Sequence, residues 1–389
     1  MNRLAIRFTL AVIATFLATT SARAQLGKTV SVNAGTPEDK ALSEIYATPD
    51  GPEKIALLDK FMADYGKGDL ELLADQLYAS SYVSQKNYAK AYEYGEKALK
   101  LDPDNLSTAV TLVHAAEEGG DIAKLFDAAE RANGIVTRYK NSPPPAGTSK
   151  EAWEQQKQGV LKGAQDDINY VQNATFNAAY KLTDPKSRAT YMDRFAKNFP
   201  DSPYALNARE QVAFSEEQAQ NIPKMMEAAQ AVLAADPKNV DMLVLLSDYW
   251  SEKGLQLDKA GDYAQRAIDV LSKATKPEGA DDARWQQQVS VQKGLAYSAL
   301  GQVYVNQSFN PQAVNAFREA GPLLKSNPVS YARNQYRLGF TLAKMQKIPE
   351  AKAALTEAAS IDSPYRALAQ QTLAKISGGA GAHTAKKSS

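Results

Sequence analysis

The sequence predicts an all-α protein, a solenoid of stacked helix pairs. Three observations carry that prediction. Segments recur at a 34-residue offset, as when Asn87-Tyr-Ala-Lys-Ala91 is laid on Asp121-Ile-Ala-Lys-Leu125. Small residues return at fixed spacings on alternate helices, and prolines follow the second helix of several pairs. The composition suits such an array: 389 residues, 44% apolar and 23% charged, with no cysteine to staple a small core.

The chain opens on an address. Arg3 and Arg7 precede an apolar run from Phe8 to Ala18, and Ala22-Arg-Ala24 puts small residues where a signal peptidase reads. Residues 1–24 therefore read as a signal peptide cut before Gln25, and residues 25–36 as a flexible N-terminus. An uncleaved anchor helix is the other reading of the same stretch. No later run reaches the length of apolar residues that a bilayer span needs, so no integral span is expected after cleavage. A near-neutral exported chain without cystines fits a bacterial periplasm, with secretion as the alternative.

The helix pairs follow in order. Pro52 to Tyr65 reads as the second helix of an incomplete first unit. The next unit places Ala79 and Tyr82 on one helix and Ala91, Gly95 and Ala98 on its partner, with Asp102-Pro103 as the stop. Weaker units centre on Phe176 with Met192, on Val212 with Met225, and on Trp250 with Ala260. Two strong units close the array: Leu300, Gly301 and Tyr304 with Ala313, Phe317 and Ala320, then Leu338, Gly339 and Leu342 with Ala351, Leu355 and Ala358.

Seven full or near-full units fill residues 37–376. Linker breaks fall near 141–148, where three prolines run together, and near 275–282. Ser202 and Ser363 stand before prolines as capping hydroxyls, and Thr148-Ser-Lys-Glu151 has the capping-box spacing. Tyr365 to Ile376 reads as a terminal capping helix, and the Gly/Ala/Ser/Lys-rich residues 377–389 as a disordered tail.

These spacings resemble the tetratricopeptide repeat, whose pattern is W-x2-L-G-x2-Y, then A-x3-F-x2-A, then P. The resemblance implies a right-handed superhelix in which the first helix of each pair lines a concave groove, its positions 2, 5, 6 and 9 pointing inward. On this sequence those positions fall on Gln76 and Ser80, on Thr111 and His114, and on Asn173 and Asn177. They continue through Asn207, Gln211 and Phe214 to Asp248 and Gln302, and end on Arg333, Tyr336 and Arg337. Asn173 and Asn177 lie one turn apart, and their amides can pair with an extended peptide backbone. Arg333 and Arg337 resemble half of the clamp by which some relatives hold a peptide carboxylate, and they favour an acidic partner. The earlier units lack the Lys-x3-Asn pair that forms the other half. Solvated helix surface is the plain alternative at all these positions.

Catalytic chemistry finds little purchase. Two histidines, His114 and one in the tail, allow neither a histidine-rich metal site nor a serine triad with a recognisable motif. The acidic doublets Glu117-Glu118, Asp166-Asp167, Glu216-Glu217 and Asp281-Asp282 diverge by about 100° on a helix and do not converge as an acid–base pair. With 45 basic and 44 acidic residues there is no charge bias toward nucleic acid. The expectation is a non-catalytic scaffold without cofactor, binding a peptide or protein partner in its groove. Phe195-x3-Phe199-Pro-Asp-Ser-Pro-Tyr204-Ala resembles a junction in repeat proteins of outer-membrane assembly and cell division, which supplies an alternative role. A superhelical murein-acting enzyme is the third reading.

Overall fold

The computed structural model describes residues 26–384, with side chains described to Ser377. The expected signal peptide, residues 1–24, lies outside the described residues. Among the described residues there are eighteen helices and no strand. The chain divides into two compact units between Thr175 and Phe176.

The first unit contains α1 (Pro37–Ala47), α2 (Pro52–Tyr65), α3 (Asp69–Ser84), α4 (Tyr88–Leu101), α5 (Leu106–Gly119), α6 (Ile122–Asn141), α7 (Lys150–Gly163) and most of α8 (Gln165–Tyr180). The second contains α9 (Pro185–Asn198), α10 (Ala205–Gln218), α11 (Ile222–Ala235), α12 (Val240–Lys253), α13 (Leu257–Ser272), α14 (Asp282–Asn306), α15 (Asn310–Leu324), α16 (Pro328–Lys344), α17 (Ile348–Ser360) and α18 (Arg366–Thr384). The helices pair as α1–α2, α3–α4, α5–α6, α10–α11, α12–α13, α14–α15 and α16–α17; α9 packs on α10, and α18 packs on α17 at the end. Helix α1 completes the unit of which the sequence showed only the second helix.

One backbone device closes the turn inside most pairs. An amide two or three residues beyond the first helix reaches back to a carbonyl in its last turn: Asn87 to Tyr82 at 2.8 Å, Asp121 to Ala116 at 3.0 Å, Asn221 to Glu216 at 2.8 Å, Leu255 to Trp250 at 2.9 Å, Phe309 to Tyr304 at 2.8 Å and Lys347 to Leu342 at 2.9 Å. This hydrogen bond requires a left-handed residue just before the donor. Gly120 and Gly254 meet that need without strain, whereas Lys86, Gln220, Ser308 and Gln346 adopt φ of 58–66° with a side chain.

Packing explains the small residues. A Cβ placed on Gly301 would lie 2.5 Å from the Phe317 ring, and one on Gly339 would lie 2.6 Å from Leu355 Cγ. Each glycine thus lets the two helices of its pair cross with the large residue of the second helix seated against bare backbone. Apolar cores run continuously between pairs, one through α1–α3 around Phe61 and Tyr78, another through α10–α14 around the fully buried Trp250. Asp75 on α3 breaks the pattern. It is 2% exposed, and burial pushes its carboxyl up to about 6, with Lys97 opposing and Glu71 and Glu93 adding to the shift.

Several local expectations need correction. Residues 26–36 are docked rather than flexible: the Leu106 amide donates to the Leu26 carbonyl at 3.1 Å, the Lys28 amide donates to Asp102 at 2.6 Å, and Val32 packs on the α1–α3 core. The buried Asp102 carboxylate and the Leu106 amide offer hydrogen-bonding groups there, which outweighs the entropy of a short segment. The cap of α7 is Ser149, whose hydroxyl accepts from the Ala152 amide at 3.1 Å, one residue beyond Thr148. Ser202 and Ser363 each accept from the amide two residues on and form a turn ahead of the helix, not its cap. Helix α18 runs past Ile376 to Thr384, through residues expected to be disordered, although three glycines in that stretch disfavour a helix.

Helix α7 stands outside the pairing. Its Trp153 indole donates to the Ser142 carbonyl at 2.9 Å, and the buried Lys157 ammonium donates to the Lys140 carbonyl at 2.8 Å. Both satisfy carbonyls at the C-terminal end of α6, where a cation is favoured.

Candidate functional site

In each unit the first helices touch one another from pair to pair, α3 with α5 in the first and α12 with α14, α14 with α16 and α16 with α18 in the second. They form a face to which the expected groove positions belong. Those positions behave very differently along it.

In the first unit Gln76 donates to Thr108 Oγ1 at 3.1 Å, and Thr108 in turn donates to the capping Asn105 at 2.9 Å, so Gln76 braces α3 against α5. His114, half-buried, stacks on Tyr170 with ring centroids 4.0 Å apart and an interplanar angle of 17°. The Tyr170 hydroxyl donates to Glu117. Burial lowers the pKa of His114, while Glu117, Glu118 and Asp167 work in the opposite direction. Asn169 and Asn173 are exposed on α8.

In the second unit Asn177 is likewise exposed on α8. Gln211 is half-buried, and Phe214 packs against the α10–α14 core rather than standing free as a groove side chain. Gln302 donates along its own helix to Asn306 at 3.2 Å. The structure does bring Asp248 together with Arg333 and Arg337. Arg333 donates to Asp248 Oδ2 at 2.7 Å. Arg337, its side chain 5% exposed, bonds to Glu252 and to the Ser298 hydroxyl at 3.1 Å. Asp248 Oδ1 is buried, accepts no hydrogen bond, and lies 3.6 Å from Arg337.

Two carboxylates four apart on α12 therefore meet two guanidiniums four apart on α16, across the intervening α14. The arginines were expected to be open to a ligand carboxylate, and α12 already holds them. A buried guanidinium left without that partner carries a large desolvation penalty, so the pairing follows from where the helices place them. Sequence reasoning did not find Glu252, Ser298 or Tyr170. The matching Asp248-x3-Glu252 and Arg333-x3-Arg337 spacings were the available sign for the first of these.

The assembly-type junction is a core corner. Phe195, Phe199 and Ala205 are buried, Phe195 and Phe199 lie 5.1 Å apart, and Tyr204 stacks on Phe176 at 5.1 Å. Among the described residues no group of acids or histidines could hold a metal ion, and no helix is long and apolar enough to cross a membrane.

With this geometry in view, residues 76–105 match the family model for the tetratricopeptide repeat. That segment spans most of α3, all of α4 and the turn before α5. No curated protein matches the sequence. Among solved structures, the chain is similar to NprR in complex with its cognate peptide NprX, at 12% identity and a TM-score of 0.35, over 79% of this chain and 82% of that one. Yeast Tom70 is similar at 12% identity and a TM-score of 0.37, over 88% and 95%. The P58(IPK) tetratricopeptide domain is similar at 10% identity and a TM-score of 0.31, over 88% and 98%.

Proposed function

We propose that this protein is a non-catalytic interaction scaffold that holds a peptide or protein partner on the faces made by its first helices, and that it works after export, in a bacterial periplasm. One observation carries the reading. Within each unit the apolar residues are buried between helix pairs, while the first-helix face keeps polar and aromatic side chains turned outward. That face is the surface left when neighbouring pairs stack, and only part of it, such as Gln76, Arg333 and Arg337, is taken up by bracing one helix against another.

Calorimetric titration tests the reading. A partner isolated from a periplasmic extract is titrated into the parent protein and into Asn173→Ala/Asn177→Ala. Removing two amides that hold a peptide backbone should weaken binding by about tenfold or more, while helix stability rises slightly because alanine is the better helix former. Unchanged affinity, together with unchanged affinity in variants of the other first helices, would place the partner elsewhere. Export rests on Arg3, Arg7, the Phe8–Ala18 run and Ala22-Arg-Ala24. N-terminal sequencing of protein recovered from the periplasm should begin at Gln25, and full-length protein confined to the cytoplasm would refute it.

A further inference from the structure

A solenoid passes stability from neighbour to neighbour: each helix pair rests on the pair before it and the pair after it, and more distant pairs do not feel one another directly. Several side-chain bridges keep to that scheme. Gln76 of α3 donates to Thr108 of α5 at 3.1 Å, and Gln292 of α14 donates to Asp241 of α12 at 2.7 Å. Asn306 of α14 donates to the Ser251 carbonyl of α12 at 2.6 Å, and Arg318 of α15 pairs with Glu350 of α17. The four charges on the first-helix face of the second unit do not keep to it. Arg333 and Arg337 of α16 reach over α14 to Asp248 and Glu252 of α12, two pairs back.

Ser298 makes the crossing possible. It is the buried α14 residue beneath the guanidinium of Arg337. Arg337 Nη1 donates to its hydroxyl at 3.1 Å and to its carbonyl at 3.3 Å, while Nη2 goes on to Glu252. A large side chain at 298 would fill that path. Opening the bridge from either end is costly. If α12 and α13 came away, Arg337, its side chain 5% exposed, would stay against α14 without a carboxylate. If α16 and α17 came away, Asp248 would lose the guanidinium that holds it at 2.7 Å. Stripping a largely buried charge of its partner costs far more than an exposed ion pair contributes.

We infer that Asp248, Glu252, Ser298, Arg333 and Arg337 form a strap that couples α12–α13 directly to α16–α17. Residues 240–360 then open and close as one stiff block, in a chain whose other pairs are coupled to their neighbours. The strap fixes how far α12 and α16 can part, and with it the curvature of this stretch around α14. It is a property of the free protein and does not rest on where a partner binds.

The test is native-state hydrogen exchange of the full chain in the parent, in Asp248→Asn/Glu252→Gln, and in a fourfold variant that adds Arg333→Gln/Arg337→Gln. The first variant keeps the side-chain shapes and the second leaves no charge of the strap unpaired, so circular dichroism should show both folded. In the parent the slowest amides of α12–α13 and of α16–α17 should open together. In both variants the two groups should separate. Exchange of α16–α17 should quicken by about tenfold or more even where the substitutions lie on α12 alone, and α3–α6 should exchange as in the parent. The chain has no cysteine, so spin labels at Gln265→Cys on α13 and Ala353→Cys on α17, both exposed positions, report the distance across the block. The distance distribution should be narrow in the parent and broader in either variant. Unaltered exchange of α16–α17, or a distribution as narrow as that of the parent, would overturn the inference, since α12 and α16 would then be held through α14 alone. Both readouts are taken on both variants, so the first decides if the fourfold one does not fold.

Discussion

Asp75→Asn should make the protein more stable at neutral pH. The carboxyl is 2% exposed and titrates at about 6 in the fold, against 3.8 for the free side chain. A raised acid holds its proton more tightly in the folded state. Its favourable contribution is complete below the unfolded pKa and is lost as pH rises through the folded one. The gap between 3.8 and about 6, at roughly 1.36 kcal/mol per pH unit, bounds the penalty at neutral pH near 3 kcal/mol. Asparagine keeps the shape and removes the charge, giving up only the attraction of Lys97. The expected gain is thus about 1–3 kcal/mol at pH 7.5, shrinking toward zero by pH 4. Repeat arrays open locally, so the fitting assay is native-state hydrogen exchange of the α3–α4 amides at both pH values, alongside thermal melts. A variant less stable than the parent at pH 7.5 would refute the reasoning, since it would mean that the ionised carboxylate is itself held by favourable contacts.

Other outcomes follow from the same geometry. Gly301→Leu and Gly339→Leu should each destabilise by about 1–3 kcal/mol, because even a Cβ overlaps Phe317 or Leu355, and melts like those of the parent would show that these helix pairs are set in the wrong register. Gln346→Gly should raise stability by about 0.5–1 kcal/mol, since φ of 59° strains a side-chain-bearing residue, and a lower melting temperature would contradict the turn geometry. Glu252→Gln should cost about 1–3 kcal/mol, less than for a fully enclosed pair because Asp248 remains 3.6 Å from Arg337, and a neutral substitution would show that Arg337 does not depend on it.

The helix pairs were legible because close packing leaves a direct trace in composition: Gly301 and Gly339 face Phe317 and Leu355, and no larger residue fits. The turns were less legible. Four of the six left-handed positions described above carry Lys, Gln or Ser, so a search for glycine passes over them. Helix α1 has no long apolar stripe and is held by the α1–α3 core through Leu42 and Ile45, a tertiary cause. The docked segment 26–32 depends on Asp102 and Leu106, which lie far along the chain. At the candidate site the positions of Arg333 and Arg337 on the first-helix face could be read from spacing. Their occupancy could not, because Asp248 and Glu252 are 85 residues away, in a different repeat. Periodicity reports which face a residue belongs to, and only the stacking of three helices reports what it meets there.

In the proposed function the first helices of the pairs carry the partner. Hydrogen exchange of the full chain with and without a bound partner tests it most directly. Protection should concentrate on first helices such as α3, α5, α10, α12, α14 and α16, with α4, α6, α11, α13 and α15 exchanging as in the free protein. Protection confined to those second helices, or to the turns between pairs, would contradict it.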